Sequence, residues 1–442
     1  MGRTHESRTG GLIAFVQPFG LRDSSGGGRI LRALLQEAPV PFLSICTSVR
    51  PPAPPPFGRE VHLPPRPYFG RIEATRFARY LHWIAEWRRP AFERALERTI
   101  LEAGATAIHA IPHGEAFWQA FQVAERYGLP YFLNVHDDMR YNLAGHPKLD
   151  FLMDRLAYVW QRATGRIVIS EAMGEAYCRW FGRLPYEIVT DGLPDELPEA
   201  PRPRPEGRAV VYFMGALHLS YHPNFRVLAE ALDRLRARRP DWEVTFVTRG
   251  SRTPVRPRTV PVQELPYAPE AEVARDLDRV DVLYMPLPFG EQYSWFTRYS
   301  LSTKLVTYLG SGLPILYHGP EDAAAAQLLA RYGAAVQVHE LEADAVSGHR
   351  TGAGSPGRTC RRCVTSGTRA IPAFGSARAF LEVAGRGSGR GIHRLSDYGR
   401  VRHIAFGRLH ALRRALPLRG GRAGEFPLPP RLSRGRMGGV SR

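Results

Sequence analysis

Lysine is almost missing from this 442-residue chain: Lys148 and Lys304 stand against 58 arginines, the bias of a GC-rich coding sequence more than of a mechanism. Cysteine is scarce as well. Cys46, Cys178, Cys360 and Cys363 are too few and too scattered for a disulfide framework, which points to a reducing compartment. No stretch reaches the ~18 apolar residues of a membrane span, and the opening MGRTHESRTGG lacks the apolar run of a signal peptide, so a cytoplasmic protein is expected. The dinucleotide fingerprint G-x-G-x-x-G, a Walker lysine loop and a G-x-S-x-G nucleophile elbow are all absent, which argues against a dehydrogenase, a P-loop enzyme and an α/β-hydrolase. The histidines have no metal-ligand spacing, and Cys360-Arg-Arg-Cys363 has no second pair, so no bound metal is expected.

The net charge of +18 suggests a nucleic-acid or membrane partner until it is located. Residues 346–442 hold 20 arginines, no lysine and 3 acids, so +17 of the charge sits there and residues 1–345 are balanced at +1. The same 97 residues carry 18 glycines and little hydrophobic periodicity. Three origins fit this tail: a disordered basic arm, a poorly folding appendage, or a reading-frame error in a GC-rich gene. The frame error is the reading adopted, because an Arg, Gly, Ser and Pro mixture is what out-of-frame GC-rich codons produce.

Before the tail, short β-branched or aromatic runs alternate with longer amphipathic ones, as in a parallel sheet with crossover helices. GLIAFVQ, PFLSICTS, AIHAIPH, PYFLNVH and GRIVIS are expected strands, with FARYLHWIAEW and FLMDRLAYVWQRA among the intervening helices. The proline-rich, charged segment 193–208 has no hydrophobic period and serves as a linker. A second cycle follows, with AVVYFMG, WEVTFVT, DVLYMPL, PILYHG and AAVQVHE as strands and FRVLAEALDRLRAR and AAAAQLLARYG as helices. The expected fold is α/β, two Rossmann-like doubly wound domains, 1–192 and 209–345, facing across a cleft where the carboxyl ends of the strands bind ligands.

The densest chemical signal runs from Tyr299 to Ile315. Ser302 is expected to cap a helix whose first turn carries Lys304, and a helix start beside a lysine is an anion site; the bland alternative is a well-capped helix. The stretch SLSTKLVTYLGSGLPILYHGPE resembles the donor-binding segment of retaining GT-B glycosyltransferases, family four in particular. Ser302, Lys304, Leu305, Tyr308, Leu309, Gly312 and Pro314 match its Ser-x-Lys-Leu-x-x-Tyr-Leu-x-x-Gly-x-Pro pattern. The resemblance implies a GT-B-like fold and a metal-independent enzyme. It would move a sugar, with retention, from a nucleotide-diphosphate sugar to the hydroxyl of a carbohydrate or glycolipid acceptor. Where the family often carries a pair of glutamates, this chain has Tyr299 and Thr307, so nucleotide contacts must differ; Glu291 and Glu321 are candidate substitutes.

Other positions join this reading. Ser24-Ser-Gly26-Gly27-Gly28-Arg29 lies after the first strand, where glycines let backbone amides approach a phosphate and where the family has a glycine pair. His136 and Asp137 follow a buried strand as in the family's His-Asp segment, which lies beside the transferred sugar and acceptor; they are the catalytic candidates, with Asp138 a second choice. The alternative for His136 is a histidine satisfying backbone carbonyls. Ser170 and the Asp191–Gly192 turn resemble further family landmarks. Gly215 opens the second half's glycine loop, and Arg249 is the candidate cation for the diphosphate beside Ser302, Thr303 and Lys304, its alternative being a surface arginine. Two rivals complete the expectations: a two-lobed binding protein that has lost catalysis, and a nucleic-acid-binding protein using the basic tail. Nothing calls for a cofactor beyond the donor. Contact with the inner face of a membrane is compatible with a peripheral protein.

Overall fold

Residues 11–346 are described by a computed structural model, apart from 37, 39, 49–53, 76, 78–79 and 191–206. Nearly all of the linker, the Asp191–Gly192 turn, the arginine-rich tail beyond 346 and Cys360–Cys363 lie outside the described residues. Val346, which composition assigns to the tail, is the last described residue and is buried in the second lobe's core cluster that includes Phe225 and Leu228.

The first lobe is a seven-stranded parallel sheet built from β1 (Leu12–Gln17), β2 (Phe42–Cys46), β3 (Arg59–His62), β4 (Ala105–Ala110), β5 (Tyr131–Val135), β6 (Gly165–Val168) and β7 (Glu187–Ile188). Their spatial order is β3-β2-β1-β4-β5-β6-β7. The interior strand β5, YFLNV, is buried at every position, as a parallel strand covered on both faces must be. The covering helices are α1 (Gly26–Leu35), α2 (Leu81–Glu102), α3 (Ala116–Tyr127), the short α4 (Met139–Asn142), α5 (Leu149–Arg162) and α6 (Glu171–Phe181). In α1 the buried residues Ile30, Leu31, Leu34 and Leu35 follow the helical repeat.

The second lobe repeats the plan with β8 (Arg208–Met214), β9 (Glu243–Arg249), β10 (Val262–Leu265), β11 (Val282–Pro286), β12 (Ile315–His318) and β13 (Val336–Val338), in the order β10-β9-β8-β11-β12-β13. Its helices are α7 (His222–Arg238), α8 (Glu270–Leu277), α9 (Ser294–Thr297), α10 (Lys304–Gly310), α11 (Ala324–Tyr332) and α12 (Ala343–Val346). Every apolar run expected as a strand forms one. The strands the sequence conceals, β3 (REVH), β7 (EI) and β10 (VQEL), all stand at sheet edges, where polar residues replace the apolar run.

In each sheet the winding direction reverses once, between β1 and β4 and between β8 and β11. Crevices open at the carboxyl ends of strands at such reversals. The two lobes also touch directly. Ser170 caps α6 by accepting from Met173 N (3.1 Å) and donates to the carbonyl of Tyr299 in the other lobe (2.6 Å). Tyr141 stacks on Phe296 at 4.9 Å, and the Arg140 guanidinium lies over the rings of both Trp180 (3.9 Å) and Trp295 (3.7 Å).

Candidate functional site

The cleft between the lobes has a volume of ≈ 1790 Å³. Strand ends of both sheets, together with the start of α10, deliver its polar groups. The turn after β1 leads into α1, which Ser25 caps by accepting from Gly28 N (3.2 Å). Gly26 and Gly27 line the cleft, and Thr303 faces Gly26 from the other lobe: a Cβ on Gly26 would stand 3.2 Å from the Thr303 methyl. Gly28 is not a lining residue. It is buried against Asp23, whose carbonyl a Cβ would meet at 2.4 Å, so this glycine lets the turn pack and does not face the cleft.

His136 and Asp137 follow β5 and both line the cleft. His136 is 4% exposed, and neither ring nitrogen has a hydrogen-bond partner, which removes the backbone-satisfying alternative. Burial, and then the neighbouring His113 and His109, hold its pKa well below the usual histidine value, so the ring is neutral. It stacks on Phe19 at 6.3 Å. Asp137 Oδ2 lies 3.7 Å from His113 Nε2, and His113 lines the cleft too. Burial lowers the His113 pKa and Asp137 opposes the shift. Asp138 plays a different part. It is fully buried, caps α4 through Arg140 N (2.9 Å) and holds the Arg140 guanidinium with both oxygens at 2.7 Å. That pair carries the Trp180–Arg140–Trp295 stack between the lobes and is not among the cleft-lining residues.

From the second lobe come Gly215, after β8, and the segment Ser302-Thr303-Lys304. Gly215 has φ +107°, and a Cβ there would lie 3.1 Å from Lys304 Cε. The helix start differs from the expectation. α10 begins at Lys304 with Thr303 as its N-cap, in helical conformation and without a side-chain cap, while Ser302 contributes its carbonyl to Leu305 N (2.9 Å). Ser302 precedes the cap because the chain enters the helix already turned, leaving its hydroxyl out of reach of the cap geometry. Lys304 is half-buried, and its ammonium lies 5.5 Å from the Phe213 ring centre and 5.7 Å from that of Tyr221. Burial pulls its pKa down to about 8. Among the described residues no carboxylate pairs with it.

Arg249 also lines the cleft but is already engaged. Its Nε and Nη2 each donate to Asp276 at 2.7 Å, and Nη1 donates to Pro266 O and Glu272 Oε1 at 3.0 Å. A guanidinium neutralised by two carboxylates has little charge left for a further anion. Tyr308, a residue of the matching segment, is structural: its hydroxyl accepts from Met214 N (3.2 Å) and donates to Tyr284 O (3.3 Å), tying β8 to β11 beneath Lys304.

The two positions that depart from the family's glutamates have separate fates. Thr307 lines the cleft and accepts from Arg29 Nη1 of the first lobe (2.7 Å). Tyr299 packs against Trp180 and Trp295 outside the cleft lining. Glu291 is held by Arg298, and neither Glu291 nor Glu321 is a lining residue; the carboxylate that reaches the cleft near Arg29 is Glu270, 3.8 Å from Arg29 Nε. Sequence reasoning missed His113, Arg29 and Glu270. The strand end IPH held a usable signal for His113, whereas Arg29 and Glu270 become neighbours only when the lobes meet. Among the described residues no group of three or more His, Cys, Asp or Glu is placed to hold a metal ion, and no helix is long and apolar enough to cross a membrane.

No protein-family model matches the sequence and no curated protein matches it. Similarity is found among solved structures. A trehalose-6-phosphate structure from E. coli, bound with UDP-2-fluoro glucose, superposes with a TM-score of 0.56 at 12% identity, covering 92% of this chain and 100% of that one. The α,α-trehalose-phosphate synthase (UDP-forming) of Burkholderia vietnamiensis gives 0.54 at 14% identity, covering 91% and 97%. The calicheamicin glycosyltransferase CalG4 gives 0.50 at 14%, covering 92% and 100%. Two parallel sheets of seven and six strands, each reversing at a cleft between them, and their likeness to these structures identify the fold as GT-B, the two-lobed fold of these glycosyltransferases.

Proposed function

We propose that the protein is a glycosyltransferase that moves a hexose from a nucleoside-diphosphate sugar to an acceptor hydroxyl. The observation that carries this reading is Lys304, a half-buried ammonium without a carboxylate partner, set in the cleft beside Gly215 and opposite Gly26 and Gly27. An uncompensated buried cation is costly, and an anion that brings its own charge relieves the cost. Diphosphate supplies that anion. Solved structures of similar fold include one that holds UDP-2-fluoro glucose, which agrees with a nucleotide-sugar donor.

In this reading the glycine turn of α1 and Lys304 receive the diphosphate, with Ser302 and Thr303 beside them. The neutral His136 ring bonds a hydroxyl of the sugar, and Asp137, which lies near His113, orients the acceptor hydroxyl. The bond from the anomeric carbon to the diphosphate oxygen breaks and the bond to the acceptor oxygen forms. The acceptor's proton leaves on the nucleoside diphosphate. Lys304 stabilises the negative charge that develops on the leaving group, the task a metal performs elsewhere. Retention at the anomeric carbon and independence of metal are parts of this proposal that rest on the sequence resemblance, and a cytoplasmic setting is a part that rests on the scarcity of cysteine.

The experiment is thermal stabilisation of the full chain by UDP-, GDP-, ADP- and TDP-sugars, followed by donor turnover with the nucleotide that shifts the melting curve. A selective shift lost in Lys304→Ala supports the reading. A shift without turnover would favour a binding protein that keeps the fold, and no shift from a folded chain would remove the donor site.

A further inference from the structure

Six of the thirteen exposed large apolar side chains among the described residues fall in one stretch of the first lobe: Tyr68, Ile72, Phe77, Tyr80, Trp83 and Trp87. The phase of α2 shows how the last three come to share a surface. Its core face carries Leu81, Phe92, Leu96 and Ile100, all buried. Tyr80, at the start of the helix, Trp83 and Trp87 are spaced i, i+3 and i+7, so they lie on the opposite face, which a surface helix ordinarily gives to polar residues. The Tyr80 ring lies 6.5 Å from that of Phe77, which joins the preceding segment to the stripe. Trp83 is 66% exposed and Trp87 82%, so both indoles project from the surface instead of lying along it. An exposed apolar patch rimmed by charge marks an interaction site.

Charge selects the occupant. Residues 66–90 hold six arginines against two glutamates, in a body that is otherwise balanced, and one of the two, Glu86, pairs with Lys148. Arg71 and Arg88 are exposed among the aromatic residues, and Arg94 and Arg98 continue the tryptophan face further along α2. A second copy of the patch would set these arginines against one another, and the chain's own segment 347–442 is arginine-rich too. The fitting partner is a negatively charged surface that takes in projecting rings without needing a matching pocket for each. A bilayer with anionic headgroups has both properties: Trp and Tyr rings settle at headgroup level, and arginines are drawn to the lipid charge. We propose that the surface formed by these six side chains docks the first lobe on an anionic lipid bilayer, with Trp83 and Trp87 inserted at headgroup depth. The inner face of the same part of α2 supplies Leu81 and Ala85 to a cavity of ≈ 330 Å³ that shares His113 with the cleft, so docking brings that side of the cleft to the bilayer. The docking surface stands independently of the transferase reading.

Flotation of the full chain with vesicles tests this, using phosphatidylcholine alone and an equimolar mixture of phosphatidylcholine and phosphatidylglycerol, the mixture also with brominated acyl chains. The protein floats with the anionic vesicles and not with the neutral ones, and the brominated lipid quenches part of its tryptophan fluorescence. Trp83→Ala and Trp87→Ala each weaken vesicle binding by about tenfold. The double variant loses the quenching and, because both side chains are exposed, melts at the wild-type temperature. Arg71→Glu and Arg88→Glu each weaken binding by about twentyfold at low salt and by much less at high salt. Binding through the arginine-rich tail alone would be salt-sensitive, unquenched and equal in wild type and the tryptophan double variant, and that result would overturn the proposal. So would equal binding to neutral and anionic vesicles, no binding to either, or a dimer that the tryptophan substitutions dissociate while vesicles are ignored.

Discussion

Replacing Lys304 by methionine should move ligand-free stability and nucleotide binding in opposite directions. Methionine keeps the length of the side chain and its contact with the Phe213 and Tyr221 rings but removes the charge. In the folded protein the ammonium is pulled down to about 8 by burial, from an ordinary value of 10.5. The charged lysine therefore costs folding about 1–3 kcal/mol, after allowance for its partial exposure. The sign follows from linkage. Below pH 8 the lysine is charged in both states and the cost is complete; between pH 8 and 10.5 it shrinks as the folded lysine loses its proton first; above 10.5 it is gone. Lys304→Met should thus raise the melting temperature by a few degrees at pH 7, and the gain should vanish near pH 11. The same variant loses a charge-assisted bond to the diphosphate of about 1.5–3 kcal/mol, which is roughly a tenfold to 150-fold weaker nucleotide affinity. Scanning calorimetry gives the first quantity and isothermal titration with the stabilising nucleotide sugar the second. Unchanged nucleotide affinity would refute the diphosphate role of Lys304. A variant that melts lower than wild type at pH 7 would refute the argument that its burial is unpaid without a ligand.

Further outcomes follow from the same geometry. Nucleotide-sugar affinity in the wild type should be highest below pH 8 and decline above it, with close to one proton taken up on binding at pH 9, measured as buffer-dependent heat. Gly215→Ala forces a side chain onto φ +107° and against Lys304, so it should cost about 1–2 kcal/mol in urea unfolding and weaken nucleotide binding as well. Arg140→Ala leaves Asp138 charged and fully buried and opens the stack on Trp180 and Trp295; a loss of about 3–5 kcal/mol is expected, largely recovered by adding Asp138→Asn. If Asp276→Asn is made, Arg249 loses its bidentate partner, stability falls by a similar amount, and nucleotide binding changes far less than in Lys304→Met, because Arg249 serves the fold.

The amino-acid sequence by itself determined the two winding α/β lobes. Fully buried parallel strands such as YFLNV and VLYMP must be continuous apolar runs, and the helices between them must keep an apolar face, so both patterns are readable from local composition. It also placed Lys304, Gly215, His136 and Asp137 near one another in principle, since each follows a strand end or opens a helix in a recognisable segment. Tertiary structure decided the rest. The edge strands β3, β7 and β10 are specified by pairing with a neighbour and not by their own hydrophobicity. Arg249 and Lys304 look alike in sequence, yet one is neutralised by Asp276, 27 positions away, and the other lies near aromatic faces with no carboxylate partner among the described residues. Ser170, Arg140 and Arg29 take their meaning from the opposite lobe: a hydrogen bond to Tyr299, a stack on Trp295 and a bond to Thr307. Which cation is left for a ligand, and which polar groups are left without partners, depends on every group that folding brings within a few ångströms, and no local window of the chain contains that information.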